Sequence, residues 1–333
     1  MQYFKEVIAD FIEYKTPKIV HIKNRKIGIL NRVIQVAILI YVIWYSFYTQ
    51  FIYAIVWKKG YQEFGGLESS VTLKVKGVTS TNYNLSDFNN FVNESMLPFY
   101  NRVWDVSDIV VPPTEPDTFF ITTNLIITPN QSLSKCPESP YVSDIRCKPE
   151  NNSCVPGKTD LLGNGPQTGK CVLSDILEGV HVCEIRGWCP VERDKLPLKN
   201  NTALLQSTNQ FTVLINNAIK FPKFGISRRN IPKTSNATYL KKCRYNENNK
   251  ECPVFILNDI VENANEKYAE IAKLGAVIAI DIKWDCNLDW NIEYCEPQYS
   301  FRRLDDSDAI LAPGWNFRYS QYYSNETRSL YKA

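Results

Sequence analysis

The segment GILNRVIQVAILIYVIWYSFYTQFIYAIV, residues 28–56, decides how this 333-residue chain is built. Its only charged residue is Arg32, and it exceeds the roughly 20 apolar residues that a helix needs to cross a bilayer. A cleaved signal peptide would have a shorter apolar core and a small-residue cleavage site, whereas this segment is long and ends in Trp57-Lys58-Lys59. The segment therefore predicts a transmembrane helix over residues 29–56.

Basic residues flank this helix unequally. Lys5, Lys15, Lys18, Lys23, Arg25, Lys26 and Arg32 lie before or at its start, whereas only Lys58 and Lys59 follow it directly. Positively charged flanks are retained on the cytoplasmic side of a membrane. We therefore expect residues 1–28 in the cytoplasm and residues 57–333 outside the cell, in a plasma-membrane protein with the lipid bilayer as a partner.

The part beyond the helix has the features of an extracellular glycoprotein. All ten cysteines lie between residues 136 and 295, and this even number predicts disulfides formed in an oxidising compartment. A zinc site is disfavoured because no C-x-x-C motif occurs and His181 is the only histidine in this region. Glycosylation sequons, which need extracellular exposure, occur only beyond residue 60, at Asn84, Asn93, Asn130, Asn151, Asn200, Asn236 and Asn325.

Short runs of β-branched and aromatic residues dominate the outer part. Strands are predicted over residues 69–78, 118–129, 211–219 and 276–286, and one helix over 261–275, closed by Gly275. Six cysteines between residues 136 and 189 favour a small lobe, over about 130–190, whose thin core needs disulfides. The predicted fold class is a membrane protein with an N-terminal transmembrane helix plus a large β-rich, disulfide-bonded extracellular domain.

Charge and motifs disfavour two classes of function. Basic and acidic residues nearly cancel at a net charge of +3, so no bulk positive charge indicates a nucleic-acid partner. The stretch GNGPQTGK (163–170) approximates a phosphate-binding loop, but Asn164 replaces its first glycine and Cys171 its Ser/Thr. We interpret it as a turn that delivers Cys171 to a disulfide. Because no other catalytic motif is present, the sequence does not support an enzyme.

The stretch SSVTLKVKG (69–77) carries two lysines on one face of a predicted strand. Lys74 and Lys76 are two residues apart on a predicted strand, so their side chains share one face with Thr72. Most such pairs of lysines are simply solvated, but two like charges held close together could also bind a polyanion. Near the C-terminus, Asn316, Arg318 and Lys332 are equally ambiguous when each is taken alone.

Taken together, these segments resemble the ionotropic purinergic (P2X) receptors, a family of trimeric ATP-gated cation channels. The resemblance covers nearly the whole chain and includes the order of the ten cysteines. Its motifs are Tyr14-x-Thr16-x-Lys18, SSVTLKVKG (69–77), CPVE (189–192), NQFTVLINNAIKFPKF (209–224), YSFRRLD (299–305) and GWNFRYSQYY (314–323).

The resemblance implies an ATP site and a disulfide pattern. The family's phosphate-binding lysines match Lys74 and Lys76, its adenine-recognising threonine matches Thr212, and Asn316, Arg318 and Lys332 match residues from a neighbouring subunit. Apolar contacts are expected from Val213, Leu240 and Val254. Four cations among these residues would balance the roughly four negative charges of free ATP. The implied disulfides are Cys136–Cys189, Cys147–Cys171, Cys154–Cys183, Cys243–Cys252 and Cys286–Cys295, the fourth within a small apolar lobe over residues 225–255.

The family's function is a further implication. We expect a homotrimer in which ATP binds between subunits as an agonist and opens a pore for Na⁺, K⁺ and Ca²⁺ without hydrolysis or a cofactor. The pore needs a second transmembrane helix, expected beyond Ala333. Divalent cations are expected modulators, with His181 near Glu178 and Glu184 as a weak candidate ligand. Two alternatives stay open: a proton- or peptide-gated trimeric sodium channel, and a single-span adhesion or receptor glycoprotein.

Overall fold

The structure, a computed structural model, describes residues 24–112, 117–151, 153–231, 236–308, 311 and 313–333. It divides into two compact units, Met1–Gly65 and Gly66–Ala333. The Tyr14-x-Thr16-x-Lys18 motif and the basic residues before Asn24 lie outside the described residues.

The first unit contains the apolar helix. Helix α1 spans Arg25–Tyr45, and it continues in wider π-helical turns over Ser46–Trp57, so that the whole helix has 33 residues. Asn24 begins it, its side chain accepting a hydrogen bond from the backbone N–H of Lys26 at 3.1 Å. None of its residues is buried, so its apolar side chains are exposed along its whole length. These bounds contain the predicted transmembrane segment 29–56.

The second unit is built from antiparallel strands and short helices. The strands are β1 (Glu68–Lys76), β2 (Val78–Ser80), β3 (Val103–Asp105), β4 (Ile126–Pro137), β5 (Gln167–Leu173), β6 (His181–Cys189), β7 (Thr212–Phe221), β8 (Ile226–Arg229), β9 (Val254–Ile256), β10 (Ile278–Trp284), β11 (Pro297–Arg303), β12 (Arg318–Ser324) and β13 (Thr327–Lys332). The helices are α2 (Leu97–Tyr100), α3 (Val106–Ile109), α4 (Ala237–Lys242), α5 (Leu257–Asn263) and α6 (Tyr268–Leu274). Single 3₁₀ turns span Leu85–Asp87, Glu94–Met96, Gln206–Gln210, Pro222–Phe224 and Ile292–Tyr294.

Two larger sheets and two ribbons organise these strands. The five-stranded sheet has the order β12-β13-β4-β6-β5. In the four-stranded sheet, β7 pairs with β1 along its whole length on one edge and with β8 and β9 on the other. The remaining pairs are the ribbons β10–β11 and β2–β3. Strand β7 is therefore the centre of its sheet, and its inward side chains belong to the main core.

All five disulfides connect the cysteines that the family resemblance implied. Three of them, Cys136–Cys189, Cys147–Cys171 and Cys154–Cys183, lie in the predicted cysteine-rich region. Cysteines 147, 154 and 183 form a small core there with Val142, Ile145 and Val182, apart from the main one. The thin core predicted for this region is thus present, although β4 and β6 also belong to the five-stranded sheet.

The strand predicted over residues 118–129 is wrong for its first part, because β4 begins only at Ile126. The residues before it bond to the helices α3 and α6 instead of a neighbouring strand. Thr122 N–H donates to Ile109 O at 2.9 Å, and the Thr123 hydroxyl donates to Ala272 O at 2.8 Å. Tertiary hydrogen bonds here outweigh the local β-propensity.

The single helix predicted over 261–275 is also wrong, since two short helices, α5 and α6, occupy this region. The break follows α5, where Asn265 has a φ of 61° and so cannot continue a right-handed helix. Gly275 does follow the second helix, as predicted. Its φ is 85°, and a Cβ there would lie 2.2 Å from Trp315 O.

A partly buried ion-pair cluster lies at the end of β11. Arg303 NH2 lies 2.6 Å from Asp305 Oδ2, and Arg303 NH1 lies 3.4 Å from Glu266 Oε2. Burial of the Asp305 carboxyl raises its pKa, but hydrogen bonds from Arg303 and from the backbone N–H of Val277 outweigh this effect. The net pKa of Asp305 therefore lies below its ordinary value, and the cluster is strongest when this carboxyl is ionised.

Candidate functional site

Strand β1 presents its lysines on an exposed face. Along the strand, Thr72, Lys74 and Lys76 are exposed, whereas the intervening Leu73 and Val75 turn toward the core. The two lysine side chains are about 7 Å apart along the strand and share one face. Among the described residues neither forms an ion pair, so both charges face outward without a compensating carboxylate.

Strand β7 extends this face sideways. In the β1–β7 register, Lys76 pairs with Thr212 and Lys74 with Leu214, so these side chains lie on the same side of the sheet. The Thr212 hydroxyl donates to Lys76 O at 3.3 Å. Val213 points the opposite way and is 0% exposed in the main core. The structure therefore does not bring Val213 to this face and places Leu214 there instead.

A small apolar lobe borders the same face. Val254 of β9 pairs with Leu214, which puts a row Lys74, Leu214, Val254 across three strands. Val254 and the Cys243–Cys252 disulfide form a separate small core against which Leu214 packs. Leu240 lies on α4, three residues before Cys243, and is partly buried. An apolar surface thus lies beside the two lysines, as a nucleotide base or sugar would require.

The C-terminal hairpin carries the other two predicted cations. Arg318 of β12 pairs with Lys332 of β13, which places both on one face. Two acidic side chains, one at the end of the CPVE motif and one two residues after it, already bind these two cations. Arg318 Nε donates to Glu192 Oε2 at 2.6 Å, and Lys332 Nζ donates to Asp194 Oδ1 at 2.5 Å. Asn316 lies exposed two residues before Arg318.

These ion pairs change the charge of this half of the site. Two cations face two carboxylates, so a polyanion meets little net positive charge until the carboxylates move. Asp194 is 58% exposed and free to rotate into solvent, whereas Glu192 is only 13% exposed. Within the part of the chain that the structure describes, the buried Glu192 Oε1 has no hydrogen-bond partner. Sequence reasoning missed both acids because their role depends on the fold of the CPVE segment against β12 and β13.

The two halves lie on different sides of the β1 sheet. A cavity of about 1,170 Å³ is lined by Val71 and Leu73 on the back of β1, and also by Asn316 and Lys332. The side chains of Lys74 and Lys76 leave the front of the same strand. Within one chain the sheet therefore separates this cavity, with Lys332 in its wall, from the face that carries Lys74 and Lys76.

The phosphate-loop approximation fails in the structure for a physical reason. Residues Leu161–Gly165 form turns, and the N–H of Asn164 donates to Glu138 Oε2 at 2.6 Å. The chain's own carboxylate, only 1% exposed, thus occupies the position where a phosphate would need donors. The predicted turn is correct only for its first part, because β5 begins at Gln167 and carries Cys171 within a strand.

No metal-binding cluster forms around His181 among the described residues. The only close trio of potential ligands there is Cys147, Cys154 and Cys183, and all three form disulfides. His181 and Glu184 are three residues apart on β6 and so face opposite sides. Glu184 Oε2 instead accepts a hydrogen bond from the Thr168 hydroxyl at 2.6 Å.

The sequon asparagines are all accessible. The structure leaves each of the seven exposed: Asn84, Asn93, Asn130, Asn151, Asn200, Asn236 and Asn325. Accessibility is the physical requirement that glycosylation of these side chains must meet. Their modification stays a prediction.

Comparison with known proteins gives one consistent result. The family model described as "ATP P2X receptor" matches residues 12–333. The chain is 44% identical to P2X purinoceptor 4 of Mus musculus over 98% of this chain and 79% of that protein. It is 38% identical to P2X purinoceptor 5 of Mus musculus over 99% of this chain and 68% of that protein.

Solved structures agree with the sequence matches. An invertebrate P2X receptor from the Gulf Coast tick, determined in the presence of ATP and Zn²⁺, matches with a TM-score of 0.80 and 48% identity over 91% of this chain and 87% of that one. The chicken ATP-gated P2X7 receptor channel, determined with the competitive antagonist TNP-ATP, matches with a TM-score of 0.71 and 36% identity over 91% and 85%. The chain therefore belongs to the P2X receptor family, whose members are ATP-gated cation channels and not enzymes.

Proposed function

We propose that this chain forms the helix α1 and the extracellular part of an ATP-gated cation channel in which each ATP bridges two subunits. The observation that carries the proposal is that the β1 sheet separates Lys74 and Lys76 from the cavity that Lys332 lines. A ring of identical subunits joined head to tail brings the front of β1 in one subunit to the β12–β13 hairpin of the next. A homotrimer would then hold three equivalent sites.

Energetics support a site completed by a second subunit. A charge-assisted hydrogen bond contributes about 1.5–3 kcal/mol, so Lys74 and Lys76 together contribute about 3–6 kcal/mol. Micromolar binding needs about 8 kcal/mol. Phosphate contacts to these two lysines alone therefore fall short, and Arg318 and Lys332 of a neighbouring subunit would supply the remainder.

Binding at the hairpin is an exchange of anions. ATP phosphates would replace Glu192 at Arg318 and Asp194 at Lys332, so the net gain there is smaller than for an unpaired cation. The replaced carboxylates hold the hairpin in its ligand-free arrangement. Exchange of these partners gives the ATP-bound and ATP-free states different contacts, which is the requirement for a ligand to shift a conformational equilibrium.

The nucleoside would lie on the apolar side of the lysines. Thr212 offers a hydroxyl and a carbonyl beside Lys76, and Leu214 offers apolar surface beside Lys74. Leu240 of the small lobe would extend that surface, and the buried Val254 supports it by packing against Leu214. We propose Leu214 in place of Val213 as the apolar contact on β7, because the Val213 side chain is fully buried.

The remaining features of the proposal concern the membrane. Helix α1 would cross the plasma membrane with residues 1–28 in the cytoplasm, and the second unit would lie outside the cell, where the exposed sequons are accessible. Movement of the sheets on ATP binding would open a pore for Na⁺, K⁺ and Ca²⁺ without hydrolysis. Binding energy alone suffices, because the ligand favours the open state over the closed one.

Patch-clamp recording of cells that express the full-length protein tests the proposal. ATP should evoke a cation current, and Lys76→Ala should abolish it while surface biotinylation stays unchanged. Lys220→Ala is the matched control, since Lys220 is exposed at the far end of the same sheet, about 27 Å from Thr212 along β7. Normal ATP sensitivity of Lys76→Ala, or a current evoked by an acid pulse instead of ATP, would refute the proposal.

A further inference from the structure

The two faces of strand β7 have different surroundings. Its outward face carries Thr212 and Leu214 of the proposed ATP site, and its inward face carries an apolar row. Asn217 interrupts this row and is only 1% exposed. A buried amide between isoleucines is costly unless it is fully hydrogen-bonded, so its partners decide why it is there.

Every polar atom of the Asn217 side chain has a partner on another strand. Nδ2 donates to Ser69 Oγ at 2.8 Å and to Ser70 O at 3.2 Å, both on β1. Oδ1 accepts from Trp284 Nε1 on β10 at 2.6 Å. One side chain thus connects β1, β7 and β10.

Asn230, the residue after β8, continues the network and is 4% exposed. Its Oδ1 accepts from the N–H of Asn217 at 2.8 Å, and its Nδ2 donates to Ile215 O at 2.7 Å. The same Nδ2 also donates to the Tyr299 hydroxyl on β11 at 3.0 Å. Burial raises the pKa of Tyr299 to about 12, so this hydroxyl is neutral at physiological pH.

The network crosses a gap between sheets. Strands β10 and β11 pair only with each other, so no ladder of backbone hydrogen bonds joins them to β7 among the described strands. Aromatic packing of Tyr299 against Phe255 and Tyr245 also spans this gap, but such contacts tolerate sliding. The bonds from Trp284 and Tyr299 are directional, so they fix the ribbon to a particular position of β7.

We propose that Asn217 and Asn230 are positioning residues that couple β7 to the β10–β11 ribbon, so that movement of the ATP-binding strand is passed to the ribbon and on to the pore. This inference rests on the proposed function. It assigns the pair to gating and not to ATP binding, because both amides lie behind the sheet that carries Lys74 and Lys76.

Two conservative variants of the full-length receptor test the coupling. Trp284→Phe keeps an aromatic ring but removes the N–H that binds Asn217, and Tyr299→Phe removes only the hydroxyl that binds Asn230. The matched controls are Trp290→Phe and Tyr294→Phe, at side chains that are 69% and 78% exposed. Surface biotinylation, TNP-ATP binding and single-channel open probability at saturating ATP are measured for each.

The expected result is a split between binding and gating. In Trp284→Phe and Tyr299→Phe, TNP-ATP affinity stays within about twofold of wild type. The open-to-closed equilibrium constant at saturating ATP, calculated from the open probability, falls about threefold or more, the effect expected for one lost hydrogen bond. The double variant falls by less than the product of the two single effects, because both bonds belong to one network.

Either of two results would overturn the inference. Open probability at saturating ATP equal to wild type in both variants shows that the bonds do not couple the strands. An equal loss of TNP-ATP affinity shows a general structural role. Failure of the proposed ATP site is distinguishable, since wild-type receptor would then lack an ATP-evoked current or Lys76→Ala would retain it.

Discussion

Replacing Asp194 by asparagine should make the receptor more sensitive to ATP. Asp194 Oδ1 accepts a hydrogen bond from the ammonium group of Lys332 at 2.5 Å, and Asp194 Oδ2 lies 3.8 Å from Arg318 NH2. ATP must take over both cations, so this carboxylate competes with phosphate. Its removal weakens the ligand-free state and leaves the ATP-bound state untouched, which increases the apparent affinity.

The magnitude follows from the exposure of the pair. Exposed ion pairs contribute about 0.2–1 kcal/mol. Asp194 is 58% exposed, which lowers the value, but Lys332 is only 16% exposed, and the pair should therefore lie near the upper limit. About 1 kcal/mol corresponds to a roughly fivefold lower EC50 for ATP.

The assay is the ATP concentration–response curve of full-length receptor at constant surface expression. Glu270→Gln is the control, because Glu270 pairs with Lys267 at 3.5 Å, with 64% and 81% of the two side chains exposed, and not with Arg318 or Lys332. The Asp194→Asn curve should shift to lower ATP and the Glu270→Gln curve should not move. An unchanged or higher EC50 in Asp194→Asn, or the same shift in both variants, would refute the reasoning.

Three further predictions follow from the site and the fold. Leu214→Ala should raise the EC50 for ATP and lower thermal stability less than Val213→Ala, which should lose about 1.5–3 kcal/mol of folding free energy; concentration–response curves and thermal melts separate the two. Because the folded state lowers the pKa of Asp305, the stability it contributes is present above the ordinary aspartate pKa near 4 and is lost as pH falls through the lowered value. Asp305→Asn should therefore melt below wild type at pH 7, and the difference should vanish in strong acid; a pH-independent difference contradicts this assignment. Peptide N-glycosidase should reduce the mass of receptor purified from mammalian cells, and each Asn→Gln change at an exposed sequon that carries a glycan should remove one step of that mass.

Local patterns in the sequence were sufficient to predict how two of the candidate site residues are arranged. Alternation along β1 placed Lys74 and Lys76 on one face, and the structure agrees. The same period of two holds along β7, where Thr212 and Leu214 share a face and Val213 does not. The family resemblance suggested Val213, but neighbouring residues on a strand point in opposite directions, so its side chain does not share the face of Thr212.

Other features depend on contacts between distant segments. The acids Glu192 and Asp194 approach Arg318 and Lys332 across more than 120 residues, and no local pattern indicates such pairs. Residues 118–125 have a strand-like composition, yet their hydrogen bonds go to α3, to α6 and to Leu205. The disulfide pairing came from the family resemblance, since the spacing of ten cysteines does not select one pattern.

Mixing two defective subunits tests most directly whether ATP bridges neighbouring chains. Subunits with Lys76→Ala and subunits with Lys332→Ala should each give no current alone at an ATP concentration that activates wild type. When they are expressed together, the intact Lys76 of one subunit faces the intact Lys332 of the next at some interfaces, and an ATP-evoked current should return. Continued silence of the mixture at wild-type surface expression would contradict a site shared between subunits.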